Sequence, residues 1–146
     1  MSVPIAIRLS LRPGTVYYMA DRALTSIKPH YFVVVNSDPL RDEVLLLTVA
    51  SSQIETVKRR RAKEPESTVV EVSQSTFGDF SKDSIIDCNQ VFTKTLQDLC
   101  GQWQRKEIIP KNDIPHEILR ALQKGVLDSR LVSPSDKEKI KAKSEK

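Results

Sequence analysis

No apolar stretch in this sequence approaches the roughly 20 residues needed to cross a bilayer. The opening segment, Met1 to Leu11, is only mildly apolar and already carries Arg8. It lacks the uninterrupted apolar core and small-residue cleavage site of a secretory signal. Both absences point to a cytoplasmic protein with no membrane partner. Cysteine and histidine are equally sparse: Cys88, Cys100, His30 and His116 are all there are. Two thiols without CxxC spacing and two separated imidazoles argue against a zinc site, and no cofactor is expected. Cys88 reads as a small buried core residue. Aromatics make up 5% of the chain, so stacking platforms for bases are few. Tyr17, Tyr18, Tyr31 and Trp103 are the candidates, and core packing is the competing use of each. There are no internal repeats.

What is present is enough for one compact unit. The chain has 146 residues, 39% hydrophobic and 29% charged, a balance that suits a single globular core. Net charge is +4 and unevenly distributed. Residues 1–102 hold 12 basic and 12 acidic side chains, whereas residues 103–146 hold 11 and 7. Within the balanced part, Lys58-Arg59-Arg60-Arg61 is a concentrated positive run with Lys63 just beyond it. Such a run beside a neutral core suits a polyanion, because Lys and Arg displace counterions from phosphates; a solvated loop is the alternative.

The first two-thirds reads as strands. Thr15–Met19, Tyr31–Val35, Val44–Val49, Thr68–Val72, Ser84–Cys88 and Gln90–Thr93 are short runs rich in β-branched, aliphatic and aromatic residues, bounded by turn residues. Asn36-Ser37-Asp38-Pro39 is turn chemistry. Glu55 to Ser67 carries charge and Pro65 without an apolar period, which predicts a mobile surface loop. After Asp113 the period changes. Pro115 suits a first helical position, and Ile118, Leu119, Leu122 and Val126 form one stripe at helical spacing, with Gly125 weakening the helix near its end. Ser133 to Asp136 looks like a second helix start, followed by an almost wholly charged tail expected to fray. The organisation expected is one domain over 1–132 and a charged tail over 133–146.

Three ordered segments resemble the PemK/MazF family of bacterial toxins. Gly14-Thr15-Val16-Tyr17-Tyr18, followed by Lys28-Pro29 and Phe32-Val33-Val34-Val35-Asn36, is similar to the family's opening strand and its Arg-Pro-x-Val-Val-Val stretch. Thr48-Val49-Ala50-Ser51-Ser52-Gln53-Ile54 resembles a strand ending in Thr-Ser/Ala-Gln-Ile. Asp83 to Thr93 is similar to a Ser-x-Val/Ile-x-x-x-Gln-Val/Ile-Arg-Thr pattern through Gln90 and Thr93. The resemblance covers residues 13–99. It implies a mainly β chain, an SH3-like antiparallel β-barrel with a C-terminal α-helix, usually a homodimer, held in check by a cognate antitoxin protein. It also implies a metal-independent endoribonuclease acting on single-stranded RNA. CcdB toxins share the fold, act on DNA gyrase and cut nothing, so a non-catalytic binding protein is the alternative.

The family reaction has a base take the proton of a ribose 2′-hydroxyl, which attacks the neighbouring phosphate while an acid protonates the leaving 5′-oxygen. Only RNA offers that hydroxyl. The family's Thr or Ser at the end of the third strand falls on Ser51, a phosphate donor or a strand-end cap. Its Arg before the second strand is replaced. One register sets Lys28 there, the other His30, and both are chemically competent: a fixed charge in the first case, a proton carrier near neutral pH in the second. The resemblance further implies RNA contacts from Ser52, Gln53 and Asn89, and from Arg59, Arg60 and Arg61 in the loop after the third strand. Asp87 and Asn89 stand where some members place an Arg and an Asp, which removes a phosphate clamp and a base.

Overall fold

A computed structural model describes residues 3–21, 24 and 28–141. Seven strands and six helices are found among them. The strands are β1 (Val16–Met19), β2 (His30–Val34), β3 (Val44–Ser51), β4 (Val69–Val72), β5 (Ser84–Asp87), β6 (Phe92–Thr95) and β7 (Ile109–Pro110). The helices are α1 (Ile5–Ser10), α2 (Pro39–Asp42), α3 (Ile54–Arg60), α4 (Leu96–Gln104), α5 (His116–Asp128) and α6 (Pro134–Lys141). All strand pairs are antiparallel, in the order β4-β5-β3-β2-β1-β7, with β6 also on β3.

β3 organises the sheet. Along one edge it pairs with β2, Val34 opposite Leu47 and Phe32 opposite Val49. Along the other its first half takes β6, Leu45 opposite Lys94, and its end takes β5, Ser51 opposite Ile85. Its side chains alternate between two cores. Leu46 and Ala50 join Val16, Val33, Val35, Ile86, Leu122 and Val126 on one face. Leu45 and Leu47 join Tyr17, Phe32, Val34, Leu96 and Leu99 on the other.

That division corrects the expected barrel. The sheet is open and is not closed into a barrel, and the chain is mixed α and β rather than mainly β. A small barrel buries one side of each strand, which asks for alternating apolar and polar residues. Val33-Val34-Val35 and Leu45-Leu46-Leu47 are apolar on both sides and are fully buried. A sheet with two apolar faces needs a cover on each. Helix α5 covers the first through Leu119, Leu122 and Val126, while α1 and α4 cover the second through Ile7, Leu96, Leu99 and Cys100.

Local chemistry sets the connections. Asn36 closes the β2–β3 turn by donating from Nδ2 to the Val44 carbonyl (2.8 Å) and accepting from Leu46 N–H (2.9 Å). Gly14 adopts φ +96°, a left-handed conformation open to glycine at little cost. Gly125 serves packing: a Cβ there would lie 2.6 Å from the Ser67 carbonyl oxygen and 2.8 Å from Cys88 Sγ. The glycine expected to weaken α5 is what lets the helix lie against the 66–68 turn and Cys88. The expected stripe is otherwise as drawn, with Ile118 partly buried.

The expected loop over 55–67 begins as helix α3. Val57 is its buried residue, and Lys58, Arg59 and Arg60 fill its last turn, where the carbonyl ends favour cations. The charged tail is ordered as far as Lys141: Ser133 Oγ accepts from Asp136 N–H at 3.2 Å, Ile140 is buried, and Ser37 Oγ donates to its carbonyl. Residues 142–146 of that tail lie outside the described residues. No helix among the described residues is long and apolar enough to cross a membrane.

Candidate functional site

β2 begins where β3 ends. Antiparallel pairing therefore sets His30, the first residue of β2, and Ser51, the last of β3, at the same end of neighbouring strands. They also share a face. His30 stands opposite Met19, whose side chain lies in the second core. Val49 packs on that core too, and the two-residue strand period returns Ser51 to the same side. Lys28, exposed, precedes the strand.

The His30 ring is half-buried, and its Nδ1 lies 2.9 Å from the Lys28 carbonyl oxygen. A carbonyl only accepts, so Nδ1 carries the proton in this contact. Neutral imidazole then presents Nε2 with a lone pair, the form of a general base. Ser51 Oγ accepts from Gln53 N–H at 3.0 Å, a strand-end cap that still leaves the hydroxyl hydrogen to donate. The two uses weighed for Ser51 are thus compatible. Ser52 and Gln53 are exposed beside it, Gln53 as the residue that precedes α3.

From Ser51 the chain turns into α3, which packs against β5. At its far end the basic run divides. Arg61 Nε donates to Asp87 Oδ2 at 2.8 Å, and Arg60 Nη2 lies 3.7 Å from the same oxygen. The Asp87 side chain is 6% exposed, and on its other oxygen it accepts from Asn89 Nδ2 and Asn89 N–H, each at 3.0 Å. Asn89 Nδ2 also donates to Thr68 Oγ1 at 2.9 Å, and Asn89 Oδ1 accepts from Ser129 Oγ at 2.7 Å. Every polar atom of the Asn89 side chain is thus engaged inside the protein, and the residue is buried. Its amide faces no ligand, and it leaves the set of candidate RNA contacts.

Arg59 and Lys63 have no ion-pair partner among the described residues, whereas Arg130 is held by Glu64 at 3.1 Å. Lys58 is bound to Glu71 at 2.7 Å, and that hydrogen bond raises its pKa. The basic surface is therefore graded. Arg59 and Lys63 are open, Arg60 half-committed, and Arg61 given over to the fold.

No protein-family model matches this sequence, and no curated protein matches it.

Two contacts lay beyond the sequence reading. The Arg61–Asp87 pair spans 26 positions, and its only trace was an isolated acidic residue in a buried strand run. The second is the half-buried pair of Lys94 with Asp21 at 2.7 Å, joined by Gln102, whose Nε2 donates to the Ala20 carbonyl at 3.1 Å. It anchors the chain just after β1 to β6 and α4.

Proposed function

We propose that the protein is a PemK/MazF-like, metal-independent endoribonuclease that cleaves single-stranded RNA at the end of the sheet where His30 and Ser51 meet. The observation that carries this reading is the contact between His30 Nδ1 and the Lys28 carbonyl. It leaves Nε2 as the basic nitrogen, on the strand whose register sets residue 30 across from Ser51.

In the proposed reaction His30 Nε2 takes the proton of the ribose 2′-hydroxyl. The 2′-oxygen bonds to phosphorus, the bond from phosphorus to the 5′-oxygen breaks, and the leaving oxygen takes a proton from water. The products are a 2′,3′-cyclic phosphate and a 5′-hydroxyl. Ser51 Oγ–H donates to a non-bridging phosphate oxygen, and Lys28 offsets the growing charge. Arg59 and Lys63 hold the RNA backbone beyond. A cognate antitoxin and a homodimer belong to the same reading, through the resemblance.

A non-catalytic binding protein is the second reading. It is favoured by the inward commitment of Asp87 and Asn89, which leaves no clamp of the usual kind at those positions. The experiment that separates the two is incubation of the purified protein with single-stranded RNA in EDTA. The proposal expects fragments ending in cyclic phosphate, slowed about 10²–10⁴-fold by His30→Ala. Intact RNA at high protein concentration sinks it.

A further inference from the structure

Strand β4 ends the sheet on one side and is bonded only to β5. Cys88 N–H donates to the Thr68 carbonyl at 2.8 Å, which fixes the phase of that ladder. Antiparallel bonding alternates, so residues 70 and 72 bond to β5, while residues 69, 71 and 73 turn their backbone groups outward. Val69 N–H donates to the Glu66 carbonyl, and the Ser73 carbonyl accepts from Thr76 and Phe77 N–H. The Val69 carbonyl, both backbone groups of Glu71 and the Ser73 N–H have no hydrogen bond among the described residues. Glu71 and Ser73 are exposed and Val69 is partly exposed, so water reaches this edge. An extended peptide would find here the donors and acceptors of one more strand.

The end of the same edge opens into a cleft of about 300 Å³. Ile54 at the start of α3, Ile118 at the start of α5 and Val72 form its apolar walls, and Glu71, Ser73 and Asp83 its polar rim. Val72 lies in the first core with Ile118 packed against it, so its neighbours Glu71 and Ser73 face the other way. An added strand would send one side chain toward Val72 and Ile118 and the next toward Ser73 and Asp83. Charge decides what can enter. Glu71 is already matched by Lys58 at 2.7 Å. Asp83 is in no ion pair among the described residues, and its Oδ1 accepts from Gln74 N–H at 2.8 Å, which leaves Oδ2 open. One open oxygen suits an ammonium better than the paired donors of a guanidinium. A lysine would lay its aliphatic stem along Ile54 and reach Oδ2 past the small Ser73. Sheet edges are commonly guarded by charge against unwanted strands; this acidic rim repels acidic strands and admits basic ones.

We propose that the β4 edge and its cleft form a docking surface for an extended, lysine-bearing segment of a partner protein. The segment adds to the sheet as a further strand, bonded to the outward backbone groups of Val69, Glu71 and Ser73, and sets its ammonium against Asp83 Oδ2. The surface is separate from His30 and Ser51, which lie on β2 and β3 with β5 between, and it does not depend on RNA cleavage.

The test is selection of short, fully randomised peptides displayed on phage against the immobilised full chain, followed by binding of a synthetic copy of the enriched sequence. Enriched sequences are expected to carry Lys or Arg alternating with β-branched residues, without Pro between them. Replacing that cation by Glu in the synthetic peptide is expected to weaken binding by about tenfold or more. Asp83→Asn removes the charge and keeps an oxygen for Gln74 N–H; it is expected to weaken the same peptide by about fivefold. Methylating the peptide's backbone nitrogens at alternate positions leaves the protein untouched, and in one of the two phases it is expected to abolish binding. Amide exchange at Glu71 and Ser73 should slow when the unmodified peptide binds. No enrichment, enrichment of acidic sequences, binding unchanged by Asp83→Asn, or binding unchanged by methylation in both phases overturns the docking surface.

Discussion

Asn89 and Asp87 share a pair of hydrogen bonds at the end of β5: both the side-chain amide and the backbone N–H of Asn89 donate to Asp87 Oδ1 at 3.0 Å. Arg61 takes the opposite oxygen at 2.8 Å. One buried carboxylate thus ties α3 to β5, and the same Asn89 carries the tie through Thr68 and Ser129 to the end of α5. Asn89→Ala is expected to cost about 2–4 kcal/mol, because it strands buried polar partners as well as losing bonds. Gln90, next along and exposed, is the control, and Gln90→Ala is expected to stay within about 0.5 kcal/mol. Urea unfolding of the two variants checks the contrast, and equal midpoints would count against the network.

The graded basic surface gives a second expectation. Arg59→Ala and Lys63→Ala should weaken RNA binding and each lower the salt slope by about one, with little effect on stability. Arg61→Ala should do the opposite and lower stability, because it leaves Asp87 buried without its closest cation. Binding titrations from low to high salt, run beside thermal melts, separate the two roles. A salt slope that falls as much in Arg61→Ala as in Arg59→Ala would mean that Arg61 leaves Asp87 to meet RNA.

Alkaline stability is the third. Burial pushes the Cys88 thiol up to about 12, with the Asp87 charge adding to it, and burial likewise pushes the Tyr17 phenol up to about 12. Both folded values stand above the unfolded ones, so the folded state holds protons that the unfolded chain releases. The stabilisation is full below about pH 9 and is lost as pH rises toward about 12. Urea midpoints should therefore fall between pH 8 and pH 11. Cys88→Ala should flatten that fall, and an unaltered pH slope in the variant would rule out the thiol as its source.

Much of the strand framework was legible because each run was bounded by turn residues and tertiary packing followed local preference. Helix α5 showed its stripe openly. Helix α3 did not, since seven residues with one buried position, Val57, make no period. In α4 a signal stood unread: Leu96, Leu99, Cys100 and Trp103 recur at helical spacing. The barrel was what the resemblance to PemK/MazF implied, while the runs Val33–Val35 and Leu45–Leu47, unbroken by polar residues, spoke against it. In the candidate site, Ser51 was visible as a strand end. Its alignment with His30 depends on strand register, and the capture of Arg61 by Asp87 on a contact across 26 positions; neither is local in the sequence.

The sharing of β3 between two cores bears on how the chain folds. Its hydrogen-bond partners come from residues 32–34 on one side and from 85–86 and 92–95 on the other. Neither core is complete until loops of very different length have closed on this strand. Most of the closure entropy therefore falls before most of the burial. The expected behaviour is slow folding with unfolding in one cooperative step, since neither half retains its central strand once the other has come apart.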